Sequence, residues 1–206
     1  MSWLKFGHKK HLIAILAAVT LSTSLAGCST NRATGEDSFT AFMSPEEEKK
    51  IGSQEHPKMV KEFGGNYTEK DLAAYVTEIG EKLVAVSETP DEKFTFTILD
   101  SPVVNAFALP GGYVYITRGL ATLASNEAEL AGVIAHEIGH VVARHSAQRY
   151  SRSVLTQILA GGLSMAIGNG AGEIINTGAS AYLKSFSREH EFEADMLGVR
   201  YITRAG

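Results

Sequence analysis

The chain has 206 residues, with 19 Lys and Arg against 23 Asp and Glu, which gives a net charge of −4 at pH 7. This acidic balance argues against nucleic-acid binding, because that function needs a clustered basic surface. A single cysteine excludes an intramolecular disulfide, and the length suffices for one domain with its own core.

Residues 1–27 have the pattern of an export signal rather than of a folded segment. A basic start is followed by an apolar stretch over residues 12–21, and the basic residues are Lys5, Lys9 and Lys10. Ten residues are too few to span a bilayer, which disfavours a permanent transmembrane helix. The junction that ends at Cys28 is similar to a bacterial lipobox. We therefore predict a lipoprotein signal peptide over residues 1–27 and a lipid on Cys28.

Residues 28–43 are predicted to be the lipidated cysteine and a polar tether that leads to the domain. Ser29, rather than an aspartate, follows Cys28, which by analogy with sorted lipoproteins favours the outer membrane. Removal of the three lysines of the signal would leave 16 basic against 23 acidic residues, a charge of about −7. An ordinary cleavable signal followed by an unrelated cysteine is the alternative interpretation.

Two helices are predicted before the first strand. Ser44, Pro45 and Glu47 form a capping box with proline in the first turn, which begins the first helix, and Gly64-Gly65 ends it. Thr68 is predicted to begin the second helix. Its apolar residues recur at helical spacing and indicate core packing. They are Leu72, Tyr75, Val76, Ile79, Leu83 and Val86.

Between residues 94 and 117 the hydrophobic period changes to two, which predicts β-strands. Apolar and polar residues alternate over 94–99. Two further segments, 103–109 and 113–117, flank Pro110-Gly111-Gly112, which is typical of a hairpin turn. A small sheet is therefore expected directly before the next helix.

The helix that follows carries the residues on which the functional interpretation depends. Asn126 and Glu129 indicate its start. His136 and His140 lie four residues apart, so they share one helix face and can bind one metal ion such as zinc. Glu137 is then placed to take a proton from a water molecule at that metal. The structural alternative is a half-buried helix with two incidental histidines, but buried imidazoles and a carboxylate are costly without partners.

A third metal ligand is predicted roughly fifty residues later, on a second helix. Glu191 and Asp195 lie four residues apart, so one face offers a carboxylate ligand with a second acid behind it. Two histidines and one glutamate leave the fourth zinc position open to water, which is the arrangement of catalytic rather than structural sites.

The other charged residues of this second helix are predicted to face solvent. Glu189 and Glu193 lie on one stripe with Arg200 and Arg204. Such a row of opposite charges is typical of a solvated face with modest ion pairs. We therefore expect neither Glu189 nor Glu193 to contribute to the metal site.

The two metal motifs together resemble those of the gluzincins of metallopeptidase family 48, which includes the CAAX prenyl protease, HtpX and periplasmic proteases such as BepA. The resemblance rests on His136-Glu137-Ile138-Gly139-His140 and on Glu191-Phe192-Glu193-Ala194-Asp195, and it covers the chain from Ser44 onward. It implies an α+β, zincin-like metalloprotease domain over residues 44–206. This fold is mostly helical, with a small antiparallel or mixed sheet next to the active-site helix.

The resemblance also implies roles for individual residues. One zinc ion per chain would be held by His136, His140 and Glu191, with Glu137 as general base. Asp195 is expected to orient a ligand histidine, and relatives are often assigned a proton-donor role at this aspartate. The strand near residues 105–109 is expected to bind the substrate backbone as an added strand. Three residues are candidates for fixing the site's carboxylates, with structural salt bridges as the alternative: Arg144, His145 and Arg188.

The expected function is that of a zinc metalloendopeptidase that hydrolyses envelope proteins, periplasmic or outer-membrane, in protein quality control. Its partners would be unfolded or misassembled polypeptides, and it would be lipid-anchored on the periplasmic side of the outer membrane. The alternative is a chaperone-like quality-control lipoprotein with a mostly closed protease site. A purely structural zinc domain is disfavoured, because such a site needs no base such as Glu137. Relatives usually continue beyond the second motif, often with tetratricopeptide repeats, so a C-terminal truncation is expected.

Overall fold

The computed structural model of the chain describes residues 28–161 and 186–206, so the predicted signal peptide lies outside the described residues. A mostly helical α+β domain with one small mixed sheet confirms the predicted fold class. Within these two ranges, no helix is both long enough and apolar enough to cross a membrane. The elements in chain order are β1 (Cys28–Thr30), β2 (Asp37–Phe39), α1 (Pro45–Glu62), α2 (Lys70–Ala85), β3 (Thr95–Leu99), β4 (Ala106–Leu109), β5 (Tyr113–Thr117), α3 (Arg118–Leu123), α4 (Glu127–Val142), α5 (His145–Gly161) and α6 (Arg188–Ala205).

The main sheet has three strands in the order β3-β5-β4. β3 runs parallel to β5, and β4 runs antiparallel to it. The predicted hairpin turn between β4 and β5 is present. Gly111 and Gly112 have φ angles of 81° and 90°, a backbone region that favours glycine. Among the described strands β4 pairs only with β5, so β4 forms one edge of the sheet.

The core lies between this sheet and the helices α2, α4 and α6. From the predicted apolar stripe of α2, Val76, Ile79 and Leu83 are buried, whereas Tyr75 is exposed and donates a hydrogen bond to Glu127. A second apolar cluster lies under α1 and contains Met59, Leu99, Phe107, Leu109 and Tyr115. The helices therefore cover both faces of the sheet.

The first helix begins as predicted. The Ser44 hydroxyl accepts from the Glu47 N–H at 3.2 Å, and the Glu47 carboxylate accepts from the Ser44 N–H at 2.7 Å. Gly64 and Gly65, both with positive φ, follow its end. The second helix begins at Lys70, two residues later than the predicted Thr68, and the side chain of Glu69 makes no capping hydrogen bond.

The predicted polar tether over residues 28–43 is wrong, because this segment folds onto the domain. β1 and β2 pair antiparallel as a small hairpin, and Asn31 and Ala33 in its loop are buried. Asn31 Nδ2 donates to the carbonyl oxygen of Ala143 at 3.1 Å, at the end of α4. The polar groups of the segment thus find partners in the domain rather than in water.

Candidate active site

Two helices, α4 and α6, pack closely enough to bring their polar residues together. A Cβ atom on Gly139 would lie 3.0 Å from the carbonyl oxygen of Ala194, and one on Gly198 would lie 3.2 Å from the backbone nitrogen of His136. Glycine at these two positions lets the backbones approach each other. As a result, the first turns of α6 lie beside the second half of α4.

The structure brings His136, His140 and Glu191 together, with one ligand atom of each within 4.8 Å of the others. The two Nε2 atoms are 3.0 Å apart, and they lie 3.5 Å and 3.8 Å from the Glu191 carboxylate oxygens. Two nitrogen ligands at the usual zinc distance and a tetrahedral angle would be about 3.3 Å apart. The three side chains therefore have the spacing of a metal site.

The hydrogen bond on the far side of His136 supports a metal ion at this place. His136 Nδ1 lies 2.8 Å from the Asp195 carboxylate, which accepts the Nδ1–H. In the neutral ring, Nε2 then carries a lone pair that faces the second imidazole and the Glu191 carboxylate. Electron-rich atoms at these distances repel each other unless a cation lies between them, so the residues fit a divalent metal.

His140 is held by a different partner. Its Nδ1 lies 2.7 Å from Nδ1 of His145, whose Nε2 lies 3.1 Å from the Glu193 carboxylate. Burial lowers the pKa of His140 to about 3 and that of His145 to about 2, and the other histidines nearby add to this effect. Both rings are therefore neutral at physiological pH, the form in which imidazole binds metals.

Glu137 is buried beside the three ligands and is only 8% exposed. Burial raises the pKa of its carboxyl group to about 8, and the nearby Glu191 carboxylate adds to the rise. The carboxyl group lies where it can accept a proton from a water molecule in the site and return it, as a general base and acid must.

The predicted solvated stripe on α6 is wrong for Glu193 and Arg200, which are partly buried, whereas Glu189 and Arg204 are exposed. Of the two acids on this stripe, Glu189 is exposed and takes no part in the described site. Glu193 is partly buried against His145. Arg200 and Arg204 both donate to Glu88, which follows α2, rather than to acids of their own helix. Their partners lie far away in sequence, so helical spacing could not reveal them.

The two arginines proposed to fix the site's carboxylates do not do so. Arg144 donates to Glu48 at 2.6 Å and to the carbonyl oxygen of Met43 at 2.8 Å. It also has a φ of 57°, so it ends α4 in the left-handed conformation. Arg188 is exposed, and no hydrogen bond or ion pair joins it to the described site residues.

The edge strand β4 lies next to this site. A narrow crevice between β4 and α4 is lined by Ala108, Leu109 and His140. A chain that added itself to the edge of β4 would therefore lie near His140.

Comparisons with known proteins agree with this geometry. The sequence profile of Peptidase family M48 matches residues 70–206. The mitochondrial metalloendopeptidase OMA1 of Schizosaccharomyces pombe is 31% identical over 163 residues, which cover 77% of this chain and 48% of the relative. A putative beta-barrel assembly-enhancing protease of Vibrio cholerae is 37% identical over 145 residues, 66% of this chain and 30% of the relative. The beta-barrel assembly-enhancing protease of Escherichia coli K12 is 33% identical over the same shares. The chain thus spans about half, or less, of the length of these relatives.

Proposed function

Because the chain belongs to peptidase family M48, we propose that it is a zinc-dependent endopeptidase that hydrolyses proteins of the bacterial envelope in quality control. The observation that carries this proposal is the convergence of His136, His140 and Glu191 beside the buried carboxyl group of Glu137. A structural metal site would need no such proton acceptor.

His136, His140 and Glu191 would hold the zinc ion, one per chain. When bound, zinc supplies Lewis acidity, which polarises a peptide carbonyl and lowers the pKa of a water molecule. Glu137 would take the proton from the attacking water and then pass it to the nitrogen of the leaving amine. One peptide bond breaks, one carbon–oxygen bond forms, and Glu137 returns to its starting state.

Asp195 would act as a positioning residue rather than by touching the substrate. Its carboxylate accepts from His136 Nδ1 at 2.8 Å, which fixes the orientation of the ring and the tautomer that binds a metal. The free edge of β4 would hold the substrate backbone as an added strand, in agreement with the role expected for residues 105–109.

The substrates would be unfolded or misassembled polypeptides. An added strand is recognised through its backbone, so any extended segment of a protein fits such an edge. The names of two relatives, both beta-barrel assembly-enhancing proteases, support an envelope substrate. Tetratricopeptide repeats beyond Gly206 stay a prediction of the family resemblance.

A lipid on Cys28 would attach the domain to the periplasmic side of the outer membrane. Because β1 begins at Cys28, this anchor would hold the domain close to the bilayer instead of at the end of a tether. Membrane fractionation of full-length protein checks this, and a wild-type protein that is fully soluble and unacylated would contradict it.

Cleavage of unfolded casein by purified protein tests the proposed activity. We expect cleavage that a chelator abolishes and added zinc restores, because all three ligands are in place. Zinc-loaded protein that protects casein from aggregation without cutting it would instead favour the chaperone-like alternative.

A further inference from the structure

Glu193 connects the metal site to the N-terminal hairpin of β1 and β2. One carboxylate oxygen lies 3.1 Å from His145 Nε2, and the other accepts from Asn31 Nδ2 at 3.3 Å. The orientation of the Asn31 amide is fixed, because its Oδ1 accepts from the Ala33 N–H at 2.9 Å. The same Asn31 nitrogen also donates to Ala143 at the end of α4.

These contacts determine which atom donates and which accepts in each hydrogen bond between Glu193 and the metal site. The Glu193 carboxylate can only accept, so His145 carries its proton on Nε2 and presents a lone pair at Nδ1. His140 must then donate its own Nδ1–H to that lone pair, across 2.7 Å. The Nε2 atom of His140 is left with a free lone pair, which is the state that binds a metal.

We propose that Glu193 and His145 are positioning residues that fix the metal-binding tautomer of His140, and that Asn31 of the hairpin holds Glu193 in place. Without the carboxylate, His145 would be free to move its proton to Nδ1. The Nδ1–H groups of His140 and His145 would then face each other. Alternatively, His140 would carry its proton on Nε2, and that atom would have no lone pair for a metal. The hairpin thus supports the metal site, although it lies more than 100 residues before it in sequence.

The two ligand histidines are therefore held in different ways. His136 has its acceptor on the neighbouring turn of α6, in the exposed side chain of Asp195. His140 depends on a fully buried histidine and on a glutamate whose side chain is only 18% exposed. In a buried chain of hydrogen bonds, little water is available to replace a lost partner. Removal of one member is therefore costly in free energy.

Replacement of Glu193 by leucine tests this proposal, which rests on the proposed zinc site. Leucine has a similar volume and suits a partly buried position, but it accepts no hydrogen bond. We expect Glu193→Leu to weaken zinc binding about 10–100-fold in competition with a chromophoric chelator. In the metal-free protein, the ¹⁵N shifts of the His145 ring should change from a single Nε2–H tautomer to a mixture.

Glu189→Leu is the matched control, since it removes the same charge from an exposed position on the same helix. It should change zinc affinity by no more than about twofold. Asn31→Ala should weaken zinc binding less than Glu193→Leu does, and it should add nothing when both changes are combined, because both act through Glu193. Urea unfolding in chelator confirms that each variant is folded.

Three results would overturn the proposal. Unchanged zinc affinity in Glu193→Leu would exclude a role for the carboxylate, and an unchanged His145 tautomer would exclude the mechanism. Additive effects of Asn31→Ala and Glu193→Leu would exclude the connection to the hairpin. A wild-type protein that binds no zinc would instead contradict the proposed function itself.

Discussion

Each of the two histidines of the site is oriented by a group on its far side. Asp195 holds His136, whereas His140 is held by His145 and Glu193. Glu191 differs from both, because its side chain is 45% exposed and faces the two rings directly. The carboxylate thus closes the cluster from the solvent side, and it is the ligand that we propose for the second helix.

Replacement of Glu191 by alanine should abolish zinc binding. It removes one of three ligands, so we expect a loss greater than the roughly 10–100-fold typical of changes to groups behind the ligands. Glu189→Ala, two residues earlier on the exposed face, should bind zinc as the wild type does. Metal analysis of the purified variants measures both. Zinc retained in Glu191→Ala would show that a different residue is the third ligand.

The clustering of the proposed ligands could be predicted from the sequence, but the residues that support them could not. Residues four apart on a helix share a face, so His136 with His140 and Glu191 with Asp195 could be paired from spacing alone. Glu193 and Asn31 find their partners across the fold, 48 and 112 residues away, and nothing in their local sequence indicates this. The one available signal was His145, because a histidine next to a metal helix needs an acceptor when it is buried.

At the scale of elements, the site depends on the contact between α4 and α6. The close approach at Gly139 and Gly198 sets the distance between the histidines and Glu191. The sequence correctly predicted both helices and the hairpin turn, but it could not show which strand forms the edge of the sheet. It missed the β1–β2 hairpin, because a short polar segment resembles a tether until its burial against other elements is known.

Alanine in place of two glycines of α4 should have different consequences for stability. Apart from the nearby backbone of its own helix, no described atom lies within 4 Å of a Cβ at Gly132, so Gly132→Ala should raise the free energy of unfolding by about 1 kcal/mol through helix propensity. At Gly139 the new methyl group would lie 3.0 Å from Ala194 and 3.3 Å from Leu197, so we expect no gain or a loss.

Urea unfolding in the presence of chelator measures both changes without a contribution from the metal. An equal gain from Gly132→Ala and Gly139→Ala would show that α4 and α6 do not approach closely at residue 139. The account of how the two metal motifs meet would then be wrong.

At the scale of the whole molecule, Glu88 joins three parts of the chain. It lies after α2 and accepts from Tyr201 at 2.7 Å, from Arg204 at 3.0 Å and from Arg200 at 3.1 Å. Arg200 also donates to the carbonyl oxygen of Ala33 in the hairpin loop. The carboxylate therefore connects α2, the last helix and the N-terminal hairpin.

The contribution of Glu88 to stability should depend on pH. Burial alone would raise the pKa of this carboxyl group, but the hydrogen bonds from Tyr201 and the two arginines outweigh burial and lower the pKa below its ordinary value of 4.5. A lowered pKa in the folded state means that the stabilisation is present above the unfolded value and is lost as the pH falls through the folded value.

The comparison of wild type with Glu88→Gln measures this contribution. In chelator, we expect the variant to be less stable by about 2 kcal/mol at neutral pH, because charge-assisted hydrogen bonds are lost. The difference should shrink below about pH 4.5 as Glu88 becomes protonated. A difference that stays constant between about pH 7 and pH 3.5 would contradict an ionised Glu88 in the folded protein.

The most direct test of the central claim is to measure both the zinc content and the casein cleavage of Glu137→Gln. Glutamine keeps the shape of Glu137 and leaves His136, His140 and Glu191 in place, but it cannot accept the proton of the attacking water. The account predicts zinc content equal to that of the wild type and cleavage lower by about 100-fold or more. Undiminished cleavage by the zinc-loaded variant, with contaminating proteases excluded, would contradict the proposed role of Glu137.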